Sequence, residues 1–123
     1  MNTYELIDAA ATILENHGFS QGANARDANG VMTTVTPAHA WPQPVAFCAY
    51  GALCRAGMGQ PDTINYFDVA CTEDRALDAL DQHSPTGGIV SFNDTPGRTK
   101  EEVVTLMRHT ANILRTIDQG AAI

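Results

Sequence analysis

A run of apolar and small residues between positions 45 and 56 constrains the fold of this chain more than any other segment. The run has almost no polar face, and a short helix that is apolar on every side belongs inside a packed domain. Proline is tolerated at the first position of a helix and glycine is common just past its end. We therefore predict a central helix over residues 45–56, opened by Pro44 and closed by Gly57 and Gly59.

Two longer helices are predicted at the ends of the chain, over residues 3–17 and 100–118. Apolar residues recur at helical spacing in both segments, which gives each helix one buried face. Each also begins with a capping box, in which a polar N-cap residue and an acidic residue three positions later bond to each other's backbone. The two pairs are Asn2 with Glu5 and Thr99 with Glu102. The buried side of the last helix is predicted to hold Val103, Val104, Met107, Ala111, Leu114 and Ile117.

The middle of the chain is less regular. Asp62 or Thr63 can cap a third helical region that runs to about His83, either as one helix or as two that break at Thr72. Residues 89–92 are short and apolar, which fits a brief strand or an extended buried segment. Together with the helices above, this predicts a mainly α-helical domain, a bundle of four to five helices.

A short β-hairpin is predicted within residues 23–35. Asn29-Gly30 is a strong hairpin signal, because a two-residue turn of this kind needs positive φ at both central residues. A loop is the alternative, since residues 23–27 lack β-branched side chains.

Composition limits both the architecture and the partners. With 123 residues there is room for one domain, residues 1–123. Fourteen acidic residues against seven basic ones give a net charge of −7. Such a charge opposes the binding of nucleic acid or of an acidic membrane, since both present phosphates. No apolar stretch reaches the length of about twenty residues that a membrane span needs.

The cysteines and the first residues indicate a cytoplasmic protein. Three cysteines, at positions 48, 54 and 71, are an odd number without a paired motif, so they do not read as a disulfide framework. The first residues have neither the basic nor the apolar segment of a signal peptide. We therefore expect a reduced, cytoplasmic location.

Four segments carry a resemblance that covers nearly the whole chain. They read GFSQGA (18–23), ARDANG (25–30), FCAYGAL (47–53) and FNDTPGRTKEEV (92–103). In this order and spacing the chain resembles a family of small proteins of GC-rich Gram-positive bacteria and their phages that is known only as a domain of unknown function. Phe92 departs from the pattern, where a tryptophan is expected before Asn-Asp, and so does the proline-rich stretch around Trp41. The resemblance implies an origin and no mechanism.

The turn that contains Asn93, Asp94 and Arg98 is the sharpest local feature. It could place a ligand-binding or catalytic carboxylate beside an arginine that holds an anion. The alternative is structural, because Asn and Asp side chains bond to their own backbone in turns and Thr99 caps the helix that follows. A salt bridge from Arg26-Asp27 could also brace this turn.

Cys48 could be a nucleophile, since a helix start lowers the pKa of a thiol. His83 and Asn93 follow it in an order that some thiol hydrolases use. The alternative is a buried core cysteine, because its neighbours in the sequence are apolar. The cysteines and histidines do not have the spacing of zinc ligands, so we expect no metal and no cofactor.

Two further features suggest surfaces for a protein partner. Asp74, Asp78 and Asp81 lie on one side of the third helical region, where they form either a solvated face or a docking surface for a basic partner. Trp41 is the only tryptophan, and it is either an exposed interface anchor or a plug in the core.

No convincing catalytic set emerges, so an enzyme is the less favoured reading. The sequence favours an interaction or regulatory protein that binds a host or defence protein. In one form of this hypothesis the protein is encoded by a phage. A homodimer is compatible with this reading. The alternatives are a thiol hydrolase that uses Cys48 and a small-ligand binder that uses Asn93, Asp94 and Arg98.

Overall fold

The computed structural model describes residues 1–37, 43–58, 66–85 and 87–118. These parts contain five helices: α1 (Thr3–Asn16), α2 (Ala49–Met58), α3 (Tyr66–His83), α4 (Ile89–Asp94) and α5 (Lys100–Asp118). They also contain three short strands: β1 (Gly18–Phe19), β2 (Ala25–Arg26) and β3 (Ala46–Phe47). The prediction of a mainly helical single domain is confirmed. Trp41 lies outside the described residues, as does the predicted start of the third helix at residues 62–63.

Helix α1 packs against α5, α2 and α3. The capping box at its start is present: the Glu5 amide donates to Asn2 Oδ1 at 2.9 Å, and the Asn2 amide donates to Glu5 Oε1 at 3.1 Å. Its apolar face is almost fully buried, through Leu6, Ile7, Ala10, Ala11 and Leu14. Helix α5 begins at the second predicted capping box and buries Val103, Met107 and Ala111 against α1, as predicted. The prediction for Ile117 is wrong, because this side chain is exposed near the end of α5.

The segment from 45 to 56 differs from the prediction at both ends and in its exposure. At its C-terminal end α2 continues through Gly57 to Met58, so Gly57 does not close the helix. Residues 46–47 form β3, and the helix begins only at Ala49. The reason is that the backbone here is already bonded on both sides: the Val45 amide donates to the Arg26 carbonyl, and the Val45 carbonyl accepts from the Gly18 amide. Nor is α2 enclosed on all sides, since Tyr50 and Met58 are exposed. The interior of the bundle is occupied by α1 instead.

Helix α3 is continuous over Tyr66–His83, so it does not break at Thr72. The expectation of a strand or extended segment at 89–92 is wrong, because these residues form α4. Gly88 has a φ of 109°, which turns the chain sharply before the helix. The Ile89 amide then donates to Asp81 Oδ1 at 2.8 Å, so α3 provides the cap that starts α4.

The sheet has the order β1-β3-β2, with β1 parallel and β2 antiparallel to β3. An antiparallel bridge between Arg26 and Met32 adds a hairpin to its outer edge. The turn of this hairpin is not the predicted two-residue type, because Gly30 has a φ of 79° and Asn29 does not have a positive φ. Asp27 closes the turn instead: its side chain accepts from the amides of Asn29 and Val31.

Candidate functional site

Three segments that are distant in the sequence meet at a polar cluster, which we call the junction: residues 20–24, 48–51 and 93–95. Asn93 lies at its centre and is only 1% exposed. Its Nδ2 donates to the Ser20 carbonyl at 3.0 Å and to Asp94 Oδ1 at 2.9 Å. Its Oδ1 accepts from the Ala49 amide at 3.0 Å. One buried amide side chain therefore joins the loop after β1, the start of α2 and the end of α4.

Gln21 and Gly22 bind the turn at residues 93–95 from the loop side. Gln21 Nε2 donates to the carbonyls of Asn93 and Thr95, at 3.0 and 2.9 Å. The Gly22 amide donates to Asp94 Oδ1 at 3.0 Å. Both side chains of the Asn-Asp pair are thus engaged by backbone groups of this chain, which supports the structural reading of the turn.

Cys48 precedes the first residue of α2 and acts as its N-cap. Its carbonyl accepts from the Ala52 amide, and its Sγ accepts from the Gly51 amide at 3.3 Å. Sγ also lies 3.7 Å from Asn24 Oδ1. The first amides of a helix have no partner within the helix, and here Cys48 and Asn93 provide partners for those of Gly51 and Ala49. The sequence prediction placed Cys48 inside the helix and missed this capping role.

The environment of Cys48 does not favour a nucleophile. Burial raises the pKa of its thiol, and the charge of Asp94 raises it further, whereas the nearby backbone amides lower it. The net shift is upward, so the thiol is protonated at neutral pH, and the thiolate is the reactive form. Among the described residues, no histidine hydrogen-bonds to Cys48 or to Asn93. The structure brings together two members of the proposed thiol site, Cys48 and Asn93, and leaves His83 at the far end of α3 without a bond to either.

Arg98 is engaged mainly by its own neighbours in the chain. Its Nε donates to the Phe92 carbonyl at 2.9 Å, and its Nη1 forms a salt bridge with Glu102 at 2.9 Å. Its guanidinium also lies 3.7 Å from the centre of the Phe92 ring. These contacts close the turn onto α5 and leave little of the guanidinium for an anion.

The predicted brace from Arg26-Asp27 to this turn is wrong. Arg26 donates instead to Ser20 Oγ and to the carbonyls of Gln21 and Gly30, which fixes the hairpin to the loop before it. Asp27 is used in the hairpin turn. The brace exists, but Gln21 and Gly22 provide it through hydrogen bonds.

The three aspartates of α3 are exposed, and they do not behave alike. Asp81 caps α4, which is a structural role that the spacing of the acids did not indicate. Asp74 and Asp78 are exposed, which is compatible with either a solvated face or a docking surface. Within the described residues, no group of three or more histidine, cysteine or acidic side chains is arranged to hold a metal ion.

An open groove of about 490 Å³ lies between the hairpin and α2. We call it the hairpin groove, and its lining residues are Ala23, Asn24, Met32, Thr33, Thr34, Val35, Tyr50, Cys54 and Met58. Met32 is 66% exposed and Met58 is 43% exposed, so two flexible apolar side chains line it and face solvent. Val31 is also exposed, on the hairpin beside the groove. Sequence reasoning missed this surface, although the apolar residues beside the Asn-Gly turn were a signal that could have pointed to it.

Two titratable groups of the groove are shifted by their surroundings. Burial raises the pKa of the Cys54 thiol, and the charge of Glu73 on α3 adds to this. The pKa of the Tyr50 hydroxyl is raised by Cys54 first, then by burial and by the charges of Glu73 and Asp74. Acidic residues of α3 therefore act on the α2 side of the groove.

The four segments singled out in the sequence converge in this structure: three form the junction, and ARDANG forms the hairpin beside it. A family model described as a family of unknown function, DUF6197, matches residues 1–113. The chain belongs to this family. No curated protein and no solved structure shows a significant match to it. None of the described helices is both long and apolar enough to cross a membrane.

Proposed function

We propose that this chain is a non-enzymatic interaction module that binds a protein partner through the hairpin groove. The observation that carries the proposal is the exposure of Met32 and Met58 in one concave surface. Exposed apolar patches with polar surroundings mark interaction sites. Methionine is common at such surfaces, because its flexible thioether adapts to the shape of a partner.

Hydrogen bonds fix both the α2 side and the hairpin side of the groove, which suits the recognition of a partner. Tyr50, Cys54 and Met58 belong to α2, whose start is fixed by the junction. The hairpin side is held through Arg26 and through the bridge to Met32. A preformed surface loses little conformational entropy when a partner binds.

The wider setting of the proposal comes from the sequence. The resemblance to proteins of Gram-positive bacteria and their phages makes a bacterial host or defence protein the expected partner. The net charge of −7 favours a protein over a nucleic acid in this role. Cysteines without a disulfide framework fit the cytoplasm.

The other two hypotheses have less support. A thiol hydrolase at Cys48 would need a thiolate and a base, and burial keeps this thiol protonated. A ligand site at Asn93, Asp94 and Arg98 would need free polar groups, and these side chains are engaged by the chain itself.

Affinity capture with matched variants tests the proposal. The tagged chain is exposed to a lysate of a bacterial host, and bound proteins are quantified by mass spectrometry. Met32→Lys adds a charge in the groove, and Ile117→Lys makes the same change at an exposed position of α5 that does not line it. We expect one stoichiometric partner that is lost with Met32→Lys and retained with Ile117→Lys. Equal capture by both variants would contradict the proposed surface.

A further inference from the structure

The hairpin places an unpaired strand edge beside the groove. The Asp27 amide donates to the Val31 carbonyl, and the Thr33 amide donates to the Ala25 carbonyl. In an antiparallel pair the residues between these bonds direct their backbone groups away from the partner strand. The amide and carbonyl of Met32 therefore point outward, and in the described parts of the chain they have no hydrogen-bond partner. Thr34 lies two residues further on, so an added strand that continues this register would face its amide and carbonyl, which also have no hydrogen-bond partner among the described residues.

Val31, Met32 and Thr34 of this edge are exposed, Thr33 is half-buried and Val35 is buried. The edge follows β2 in the sheet, so a further strand added here would extend the order β1-β3-β2 by one more member after the hairpin. Natural proteins often cover or charge such an edge, because it is a template for pairing with another chain. This edge carries neither a charged residue nor a proline between Val31 and Val35.

The charge beside the groove determines which kind of partner segment would bind at this edge. The carboxylate of Glu73 lies directly over Gly57, where an added Cβ would come within 1.9 Å of Glu73 Oε1. Gly57 lies in α2 one residue before Met58, and Glu73 is followed by the exposed Asp74. The two acids lie beside the groove rather than among its lining residues, and their charges act on Tyr50, which lines it. A second copy of the chain would bring another net charge of −7 to the same place. Opposite charge favours association and like charge opposes it.

We infer that the hairpin edge binds an extended, basic segment of a partner protein by strand addition. The inference rests on the proposed function and specifies its mode. Main-chain hydrogen bonds to Met32 and Thr34 supply the pairing, as in other cases of strand addition. Apolar side chains on one face of the added strand enter the groove against Met32, Tyr50 and Met58, and basic side chains beside them meet Glu73 and Asp74.

A defined probe tests the mode of binding. The full chain, labelled with ¹⁵N, is titrated with a blocked peptide of about eight residues in which threonine alternates with valine or lysine, so that valine and lysine share one face of the strand. The same peptide with glutamate in place of lysine is the charge control. We expect saturable shifts centred on the amides of Met32 and Thr34, and binding by the lysine peptide at least about tenfold tighter than by the glutamate peptide. Equal affinities, or shifts centred elsewhere, would overturn the inference.

Backbone pairing is tested separately with two variants at one exposed position. Thr34→Pro removes an outward amide, and Thr34→Val keeps the amide while it changes the side chain. We expect Thr34→Pro to lose peptide binding at least about tenfold and Thr34→Val to retain it. Equal binding by the two variants would overturn strand addition. Circular dichroism confirms that both are folded.

The outcomes separate this inference from the proposed function. If a captured partner depends on Met32 and binds Thr34→Pro as well as Thr34→Val, the groove acts through side chains alone and strand addition is wrong. If no partner depends on Met32, the proposed function itself fails. Self-association of the free chain in analytical ultracentrifugation, abolished by Thr34→Pro, would replace the basic segment with a second copy and so overturn the charge argument.

Discussion

The junction and the hairpin groove share Ala23, Asn24 and Tyr50, yet their polar groups are used in opposite ways. At the junction, Asn93 and Asp94 bond to backbone groups from two other segments, and little of Asn93 is exposed. At the groove, Met32 presents an apolar side chain and an unpaired backbone to solvent. The most distinctive residues of the sequence therefore maintain the fold. The surface that we propose for a partner is built from residues without a recognisable motif.

Removal of the Asn93 side chain is the most damaging change that this comparison predicts. Asn93→Ala leaves the Ala49 amide and the Ser20 carbonyl without a partner in a buried place. We expect it to lower the free energy of unfolding by about 3 kcal/mol, because buried unsatisfied groups are costly. Urea unfolding gives this value. Asn112→Ala, on the exposed face of α5, is the control and is expected to change stability by less than about 0.5 kcal/mol. A stable Asn93→Ala variant would mean that the junction is not structural.

Two glycines of α2 differ in what an added Cβ would contact, and the expected change in stability is smaller than that for Asn93→Ala. At Gly51 an added Cβ would come within 1.9 Å of the Asn24 carbonyl oxygen, which is backbone at the junction. At Gly57 it would meet only the far end of the flexible Glu73 side chain. We expect Gly51→Ala to destabilise the chain by about 2 kcal/mol and Gly57→Ala to be nearly neutral, even though alanine favours a helix at both sites. Thermal unfolding of the two variants side by side checks this, and the reverse order of stability would contradict it.

Two aspartates on the acidic face of α3 also differ in their expected contribution to stability. Asp81→Ala removes the acceptor of the Ile89 amide, and we expect a loss of about 1 kcal/mol, which is the usual value of a helix cap. Asp78→Ala removes an exposed acid from the same face and is expected to have almost no effect on stability. Denaturant titration of both variants measures the two free energies of unfolding. If the two lose stability equally, Asp81 is not a cap.

The smallest predicted effect is a dependence on alkaline pH. Because burial raises the pKa of Cys48 in the folded state, the folded chain holds this proton more tightly than the unfolded chain. Stability is then fully present below the unfolded pKa of about 8.5 and is lost as pH rises through the folded pKa. Cys48→Ser keeps a capping side chain that does not titrate. We expect the variant to lose less stability than the wild type between about pH 7 and about pH 10, as measured by urea unfolding. Identical slopes would contradict the protonated, buried thiol.

The helices at the ends of the chain could be predicted because their signals are local. A capping box and an apolar face at helical spacing lie within one segment, as in α1 and α5, and tertiary contacts reinforce them. The start of α2 could not be predicted in this way. Whether residues 45–47 form a helix or a strand depends on β1 and β2, and the sequence of this segment does not show that those strands pair with it.

The sites differ in how far the sequence could predict them. Asn93 and Asp94 were recognisable as a distinctive turn, but their partners, Ser20 and Gly22, are more than seventy positions away. The short apolar segment of α4 was ambiguous for a related reason, since its cap, Asp81, is on another helix. The groove depends on the packing of the hairpin against α2, so the apolar residues beside the Asn-Gly turn indicate only its hairpin side.

Capture of a partner by two variants tests the central claim most directly, namely that the junction is structural and the hairpin groove binds. Asp94→Ala changes the most distinctive motif, and Met32→Lys changes the groove. Quantitative mass spectrometry compares each with the wild type at equal concentration of folded protein. We expect Asp94→Ala to capture the partner as well as the wild type does and Met32→Lys to lose it. Loss of the partner with Asp94→Ala, together with full capture by Met32→Lys, would contradict the central claim.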